Sequence, residues 1–280
     1  MKEIMASKIT QAVAKMCKQA NYQLPNDIKD CLYDAYEQEQ YPIAKKTLGI
    51  LKENLELAYS TQRPICQDTG MACVFVEIGQ DVHVIGNLSD AINDGVRQGY
   101  QEGYLRKSIV RDPVLDRVNT NDNTPANIHY DIVAGDKLKI TVAPKGFGSE
   151  NMSRIKMMKP SDGIEGVKDF VLETVREAGP NPCPPVVIGV GIGGSFDTVG
   201  LLAKKAMLKN AHEHHPDKRY CAIEKELLER VNELGIGPAG FGGHTTALAL
   251  HIQTAPTHIA GMPVAVAICC HVARKMEVEL

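Results

Sequence analysis

Apolar residues recur at three- and four-residue spacing through the first sixty positions. Ile9, Val13, Met16, Cys17 and Ala20 form one stripe, Ile28, Cys31, Leu32 and Ala35 a second, and Leu48, Leu51, Leu55 and Ala58 a third. That period predicts three amphipathic helices, with Asn26-Asp27 as a cap for the second. Beyond Arg63-Pro64 the pattern changes. Positions 72–78 and 82–85 read as two strands paired through the short turn Gly79-Gln80-Asp81. Positions 88–104 return to helix, 111–127 are polar and read as a surface loop, and 128–133 and 137–143 read as strands. The stretch 145–159 is rich in Gly, Ser and Met and has no period. A helix at 163–178, a strand at 186–190, helices at 195–209 and 221–234, and strands at 245–252 and 264–269 complete the pattern. Helices lead, and strands and helices then mix without strict alternation. This predicts an α+β or mixed α/β fold in one domain over 1–280, with a helical part at 1–60 and mixed sheets with packed helices at 61–280.

Composition narrows the function classes. With 23% charged and 44% hydrophobic residues, the 280-residue chain is an ordinary globular sequence. The 31 Lys and Arg nearly balance the 34 Asp and Glu, and no basic block occurs, which argues against nucleic acid or an anionic membrane as partner. The longest apolar stretches, 184–192 and 263–270, are too short to span a bilayer. Residues 1–20 are charged and amphipathic rather than signal-like, so a cytoplasmic protein is expected. Eight cysteines are then expected to be thiols rather than disulfides, and no CxxC pair suggests a zinc ribbon.

Five cysteines sit on apolar stripes, in apolar strands or at a helix start, and read as packing. Three do not: Cys66 in Arg63-Pro-Ile-Cys-Gln-Asp-Thr-Gly70, Cys183 in Gly179-Pro-Asn-Pro-Cys-Pro-Pro185, and Cys270 at the end of an apolar strand. Strand logic points adjacent Cys269 and Cys270 to opposite faces, so one packs and the other is available. Spacings of 117 and 87 residues between the three match no local zinc pattern. If they converge, three thiolates would leave one iron of a four-iron cubane open to substrate. Around them lie groups suited to anions. Gln67 and Asp68 follow Cys66, and Asp68 is equally readable as a cap of the Thr69-Gly70 turn. Arg106 offers a bidentate fork or a solvated charge, and Lys145-Gly-Phe-Gly-Ser-Glu-Asn151 offers backbone amides or a surface turn. His258 lies twelve residues before Cys270, within reach of the same site if the connection folds back, or an ordinary loop histidine. Gly189-Val-Gly-Ile-Gly-Gly194 contains GxGxxG, yet no acidic residue follows about 20 positions on, so close helix packing is the simpler reading than a dinucleotide site.

Taken together, Pro64-Ile-Cys-Gln-Asp-Thr-Gly70, Gly148-Ser-Glu-Asn-Met152, Cys183-Pro-Pro185 with the glycines at 189–194, and Cys270 with Arg274 resemble the α subunit of the class I, iron–sulfur-dependent fumarate hydratases. They resemble the related L(+)-tartrate dehydratase α subunit almost equally. The resemblance implies a [4Fe-4S] cluster on Cys66, Cys183 and Cys270. It also implies a dicarboxylate pocket lined by Gln67, Arg106, Gly146, Gly148 and His258, with Asp68 and His258 in acid–base roles. Phe147 stands where the family's loop has a central glycine, which demands an ordinary αR or β backbone there. In this family further substrate-binding groups belong to a β region that single-chain members carry C-terminally. Only ten residues follow Cys270, so a separate β subunit is implied, in an α2β2 assembly. The expected reaction is reversible hydration of fumarate to S-malate. L(+)-tartrate dehydration and mesaconate hydration are the alternatives within the class; a nucleotide-dependent oxidoreductase or an iron–sulfur sensor are those outside it.

Overall fold

A computed structural model describes residues Met1–Leu280. The chain order opens with β1 (Lys2–Met5), α1 (Ala6–Tyr22), α2 (Asn26–Gln38), α3 (Pro42–Thr61), β2 (Met71–Gly79), β3 (Val82–Ile85) and α4 (Leu88–Glu102). It continues with β4 (Asn127–Val133), β5 (Leu138–Lys145), α5 (Phe147–Glu150), β6 (Arg154–Met158), α6 (Gly163–Ala178) and β7 (Val186–Gly194). Then follow α7 (Phe196–Met207), α8 (Lys218–Glu233), β8 (Ala247–Thr257), β9 (Met262–Cys269) and β10 (Met276–Glu279). The fold is mixed α+β. It divides into two compact units, each threaded by more than one stretch of chain: Met1–Pro25, Asn54–Phe147 and Arg274–Leu280 form the first, Asn26–Glu53 and Gly148–Ala273 the second.

The first unit is built on a four-stranded sheet ordered β10-β5-β2-β4. Val74, Val76, Ile140 and Val142 of that sheet pack with Ile9 and Val13 of α1 and Ile92, Val96 and Tyr100 of α4. The two helices approach closely through small residues, since a Cβ on Gly95 or Gly99 would lie 2.7 Å from a carbonyl oxygen of α1. The expected β2–β3 hairpin is not formed. β2 pairs with β5 and β4, while β3 pairs in parallel with β1. The amides of Gly79, Gln80 and Asp81 bond instead to carbonyls of Lys137, Val133 and Gly135, so the segment read as a hairpin turn seals the β4–β5 connection.

The second unit is a four-stranded sheet ordered β6-β9-β7-β8. The larger side chains Val186, Ile188, Val190 and Ile192 of β7 join α6 and α8 in one core. Gly189 and Gly191 alternate with them and stand beside Ala267 and Ala265 of β9. Those alanines share a second cluster with Val199 and Ala203 of α7. A Cβ at Gly189 would meet the Ala203 carbonyl oxygen at 2.1 Å, and one at Gly191 the Val199 oxygen at 2.5 Å. The GxGxxG stretch is therefore the strand itself, stripped of side chains so that α7 can lie on it. The motif lies inside the strand rather than in the strand–helix turn that a dinucleotide fingerprint needs, which leaves close packing as its reading. Ser195 and Thr198 cap the start of α7 with each other. At the start of α2, Asp27 does not cap as expected; its buried carboxylate accepts the Ala211 amide at 2.7 Å.

Candidate functional site

The residues 66–70 follow α3 and lead into β2, in the first unit. Cys66 is half-buried, and its Sγ accepts the Asp68 amide at 3.4 Å. The Asp68 carboxylate is held from two sides, Oδ1 by the Gly70 amide at 3.0 Å and Oδ2 by the Phe147 amide at 3.1 Å. It thus caps the turn and also fastens the start of the loop after β5. Phe147 has no positive φ, as its side chain requires. Gly146 is packed against the same carboxylate, for a Cβ there would lie 3.1 Å from Oδ2. Gly70 adopts φ +76 directly over the Lys145 backbone, where a side chain would collide at 2.7 Å.

Beneath this turn lies a buried polar support. The Tyr100 hydroxyl is 2.8 Å from the Thr69 oxygen and 2.9 Å from that of Gly70. Burial pushes the Tyr100 phenol well above its ordinary value, keeping it a neutral donor. Asn123 donates to the Gly70 oxygen at 3.1 Å. Arg274, only 4% exposed, donates through Nη2 to the Asp68 oxygen at 2.6 Å and through Nε to Pro144 at 3.2 Å. Thr69 donates to the Arg106 carbonyl at 3.1 Å, which sets the backbone of the exposed Arg106 next to the turn. Cys66, exposed Gln67, Asp68, Arg106 and Gly146 thus form one local group.

In the second unit the strand directions decide which residues meet. β7 begins where β9 ends, with Val187 opposite Cys269. Cys183, three residues before β7, and Cys270, one residue after β9, therefore stand at the same end of the sheet. Cys269 is buried and Cys270 half-buried, the division expected from strand alternation. His271 ties the two segments: its Nδ1 is 3.0 Å from the Cys183 carbonyl oxygen, and its amide donates to that oxygen at 3.4 Å. Cys183 is exposed and has φ +54, a left-handed backbone unfavourable for a residue with a Cβ. The Pro180 oxygen, His271 and the Ala239 amide bound to Pro184 hold it there. A residue with a Cβ persists in this backbone region only where its surroundings hold it there. Gly148 belongs to this group, with the Asn181 oxygen 3.8 Å from where its Cβ would lie.

His258 does not. It follows β8 and precedes β9, whose eight residues run away from it toward Cys270. At about 3.3 Å per residue the strand sets them roughly 25 Å apart. The twelve-residue separation counted as proximity is in fact the length of a strand. Exposed His258 uses its Nδ1 to accept the Ala260 amide at 3.2 Å, an ordinary turn histidine. Conversely, Tyr100, Asn123 and His271 carry no local signal in the sequence, and only topology places them.

No cysteine forms a disulfide. Nowhere do three His, Cys, Asp or Glu side chains converge to share one metal ion; a cubane would instead spread three thiolates over separate irons. The thiols fit such a group chemically: Cys66, Cys183 and Cys270 lie outside the packed cores, and the N–H···S bond at Cys66 is of the kind that stabilises a thiolate. No helix is long and apolar enough to cross a membrane. Two surface grooves of about 600 and 500 Å³ lie along α1 and α4, and no candidate residue lines either.

The turn thus holds a backbone-fastened carboxylate beside a thiol, and comparison with known proteins gives the chain a family. A sequence model described as fumarate hydratase (fumerase) matches residues 10–279. The chain is 44% identical over 275 residues to a Methanocaldococcus jannaschii protein named "Putative L(+)-tartrate dehydratase subunit alpha", covering 96% of each. It is 33% identical over 278 residues to the L(+)-tartrate dehydratase subunit alpha of Escherichia coli (strain UTI89 / UPEC), covering 98% of this chain and 91% of that one. The chain belongs to the fumarate hydratase family, and with it to the hydro-lyases.

Proposed function

We propose that this chain is the α subunit of a two-subunit [4Fe-4S] hydro-lyase that reversibly hydrates fumarate to S-malate. The observation that carries this is the match to hydro-lyase chains over nearly the whole length. In this reading Cys66, Cys183 and Cys270 hold the cluster. When bound, it supplies a Lewis-acidic iron to carboxylate and hydroxyl oxygens. The Arg106 guanidinium and the Gln67 amide bind substrate carboxylate oxygens, with the backbone at Gly146 and Gly148 lining the same pocket. An Asp68 carboxylate oxygen moves the proton at the carbon beside a carboxylate. Support for this comes from its placement two residues after Cys66 and from the amides that fix its orientation. A separate β subunit completes the site, in keeping with relatives named as alpha subunits. Its groups replace His258 in the second acid–base role, and a reducing cytoplasmic setting suits the thiols.

The relatives' names favour a second reading in the same chemistry, dehydration of L(+)-tartrate. Anaerobic reconstitution of the chain with its co-expressed partner, followed by turnover of fumarate, L(+)-tartrate and mesaconate side by side, separates the readings. Cys183→Ser is expected to lower iron and sulfide content and abolish turnover. Full iron content and activity in that variant would overturn the ligand assignment.

A further inference from the structure

Arg274 is buried, yet its hydrogen-bond partners carry no opposite charge. Both are neutral carbonyls, that of Asp68 at 2.6 Å from Nη2 and that of Pro144 at 3.2 Å from Nε, and the buried Nη1 has no partner. Burying an incompletely bonded guanidinium costs stability rather than adding to it. Anchoring the end of the chain does not require it either. Strand β10 starts two residues later and is held by its own pairing with β5 from Met276 to Glu279.

What the guanidinium supplies is a closed ring of hydrogen bonds around Asp68. Pro144 lies three residues before Phe147, whose amide donates to Asp68 Oδ2 at 3.1 Å. The main chain of Asp68 and its carboxylate are thus fastened to one short stretch, 144–147, the first through Arg274 and the second directly. All of these residues lie in the first unit. The carboxylate cannot turn about its Cα–Cβ bond without losing the Gly70 and Phe147 amides, and the turn cannot shift against β5 without losing Arg274. Nε and Nη2 lie on one edge of a rigid plane and so fix the spacing of the two carbonyls. A lysine amine, with rotatable donors on a flexible stem, does not. We infer that Arg274 is a positioning residue for Asp68, acting on the reaction by fixing the direction of that carboxylate rather than by touching substrate. This rests on the hydro-lyase reading, in which Asp68 moves the proton.

The test compares Arg274→Lys and Arg274→Gln with wild type, each co-expressed with the partner subunit. Hydrogen–deuterium exchange should quicken at the Gly70 and Phe147 amides together, with an unchanged circular dichroism spectrum. In the reconstituted enzymes kcat per cluster should fall on the order of a hundredfold, the loss expected of a misdirected group, while KM stays within about twofold. A residue that only supports the fold would lower the active fraction and leave kcat per cluster unchanged. The melting shifts of Arg274→Lys and Asp68→Asn should be less than additive in the double variant, because both open the same ring. Unchanged exchange at both amides in Arg274→Lys would overturn the inference, as would full kcat per cluster or additive melting shifts. If wild type turns over none of fumarate, L(+)-tartrate and mesaconate, the hydro-lyase reading falls instead, and exchange and melting alone decide whether Arg274 holds the turn.

Discussion

Asp68→Asn tests whether the candidate acid–base group is first a structural clamp. Its two carboxylate oxygens each accept a backbone amide, from Gly70 at 3.0 Å and from Phe147 at 3.1 Å. An asparagine keeps one acceptor oxygen and places an NH2 group at the other position, facing an amide that also donates. One bond to a charged acceptor is therefore lost and one donor left facing another, a cost of roughly 1–3 kcal/mol at a half-buried site. A change of 1 kcal/mol moves the melting midpoint of a chain this size by roughly 2–4 °C, so the variant should melt about 2–12 °C lower than wild type. Asp68→Ala removes both acceptors and should melt lower still. Differential scanning calorimetry of the apo chain reads this without any activity. An Asn variant that melts within about 1 °C of wild type would refute the clamp, since even one lost bond of this kind exceeds that shift.

Three further outcomes follow from packing and burial elsewhere in the chain. Gly189→Ala should destabilise by about 1–3 kcal/mol or more, because its Cβ would meet the α7 backbone at 2.1 Å, whereas Gly148→Ala, with 3.8 Å of room, should be nearly neutral in urea unfolding. Burial lowers the His251 imidazole below its ordinary value against the opposing pull of Glu224, with Lys209, Glu213 and His214 also nearby. The unfolded histidine binds its proton near pH 6.5, so this contribution is complete above about pH 6.5 and is lost as the pH falls toward the folded value; His251→Leu should flatten that acid limb of unfolding free energy against pH. Tyr100→Phe leaves the buried Thr69 and Gly70 oxygens one donor short and should cost about 1–3 kcal/mol in urea unfolding.

What could be read in the sequence divides along the reach of the interactions involved. The 3.6-residue period is local, and the helix at Gly163–Ala178 has the bounds the pattern predicts. β1, β6 and β10, of four or five residues, are too short for an alternation to register, and the sheets supply their reason to be extended. Pairing is the non-local part. A short turn after β2 suggests a hairpin, but Val74 and Val76 find Val142 and Ile140, 68 and 64 residues further along the chain, and that burial outweighs proximity.

The candidate site shows the same division in sharper form. The turn at Asp68 was legible because an aspartate before Thr-Gly caps its own backbone. The glycines at 189–194 were legible as close packing once no acidic residue followed them. The expectation for His258 rests on a residue count, and a count carries no direction: in an antiparallel sheet, twelve residues can return to a starting point or traverse the sheet once. Here β9 traverses it. The strand directions therefore set His258 at one end of the second unit and Cys183 with Cys270 at the other. A His258→Ala variant discriminates between the two counts directly. With the imidazole roughly 25 Å from Cys270, iron content and turnover of the reconstituted enzyme should match wild type, and the loss of one exposed turn bond should leave the melting midpoint nearly unchanged. A large loss of turnover at unchanged stability would require the chain to bring His258 to the substrate by a route this sheet does not provide.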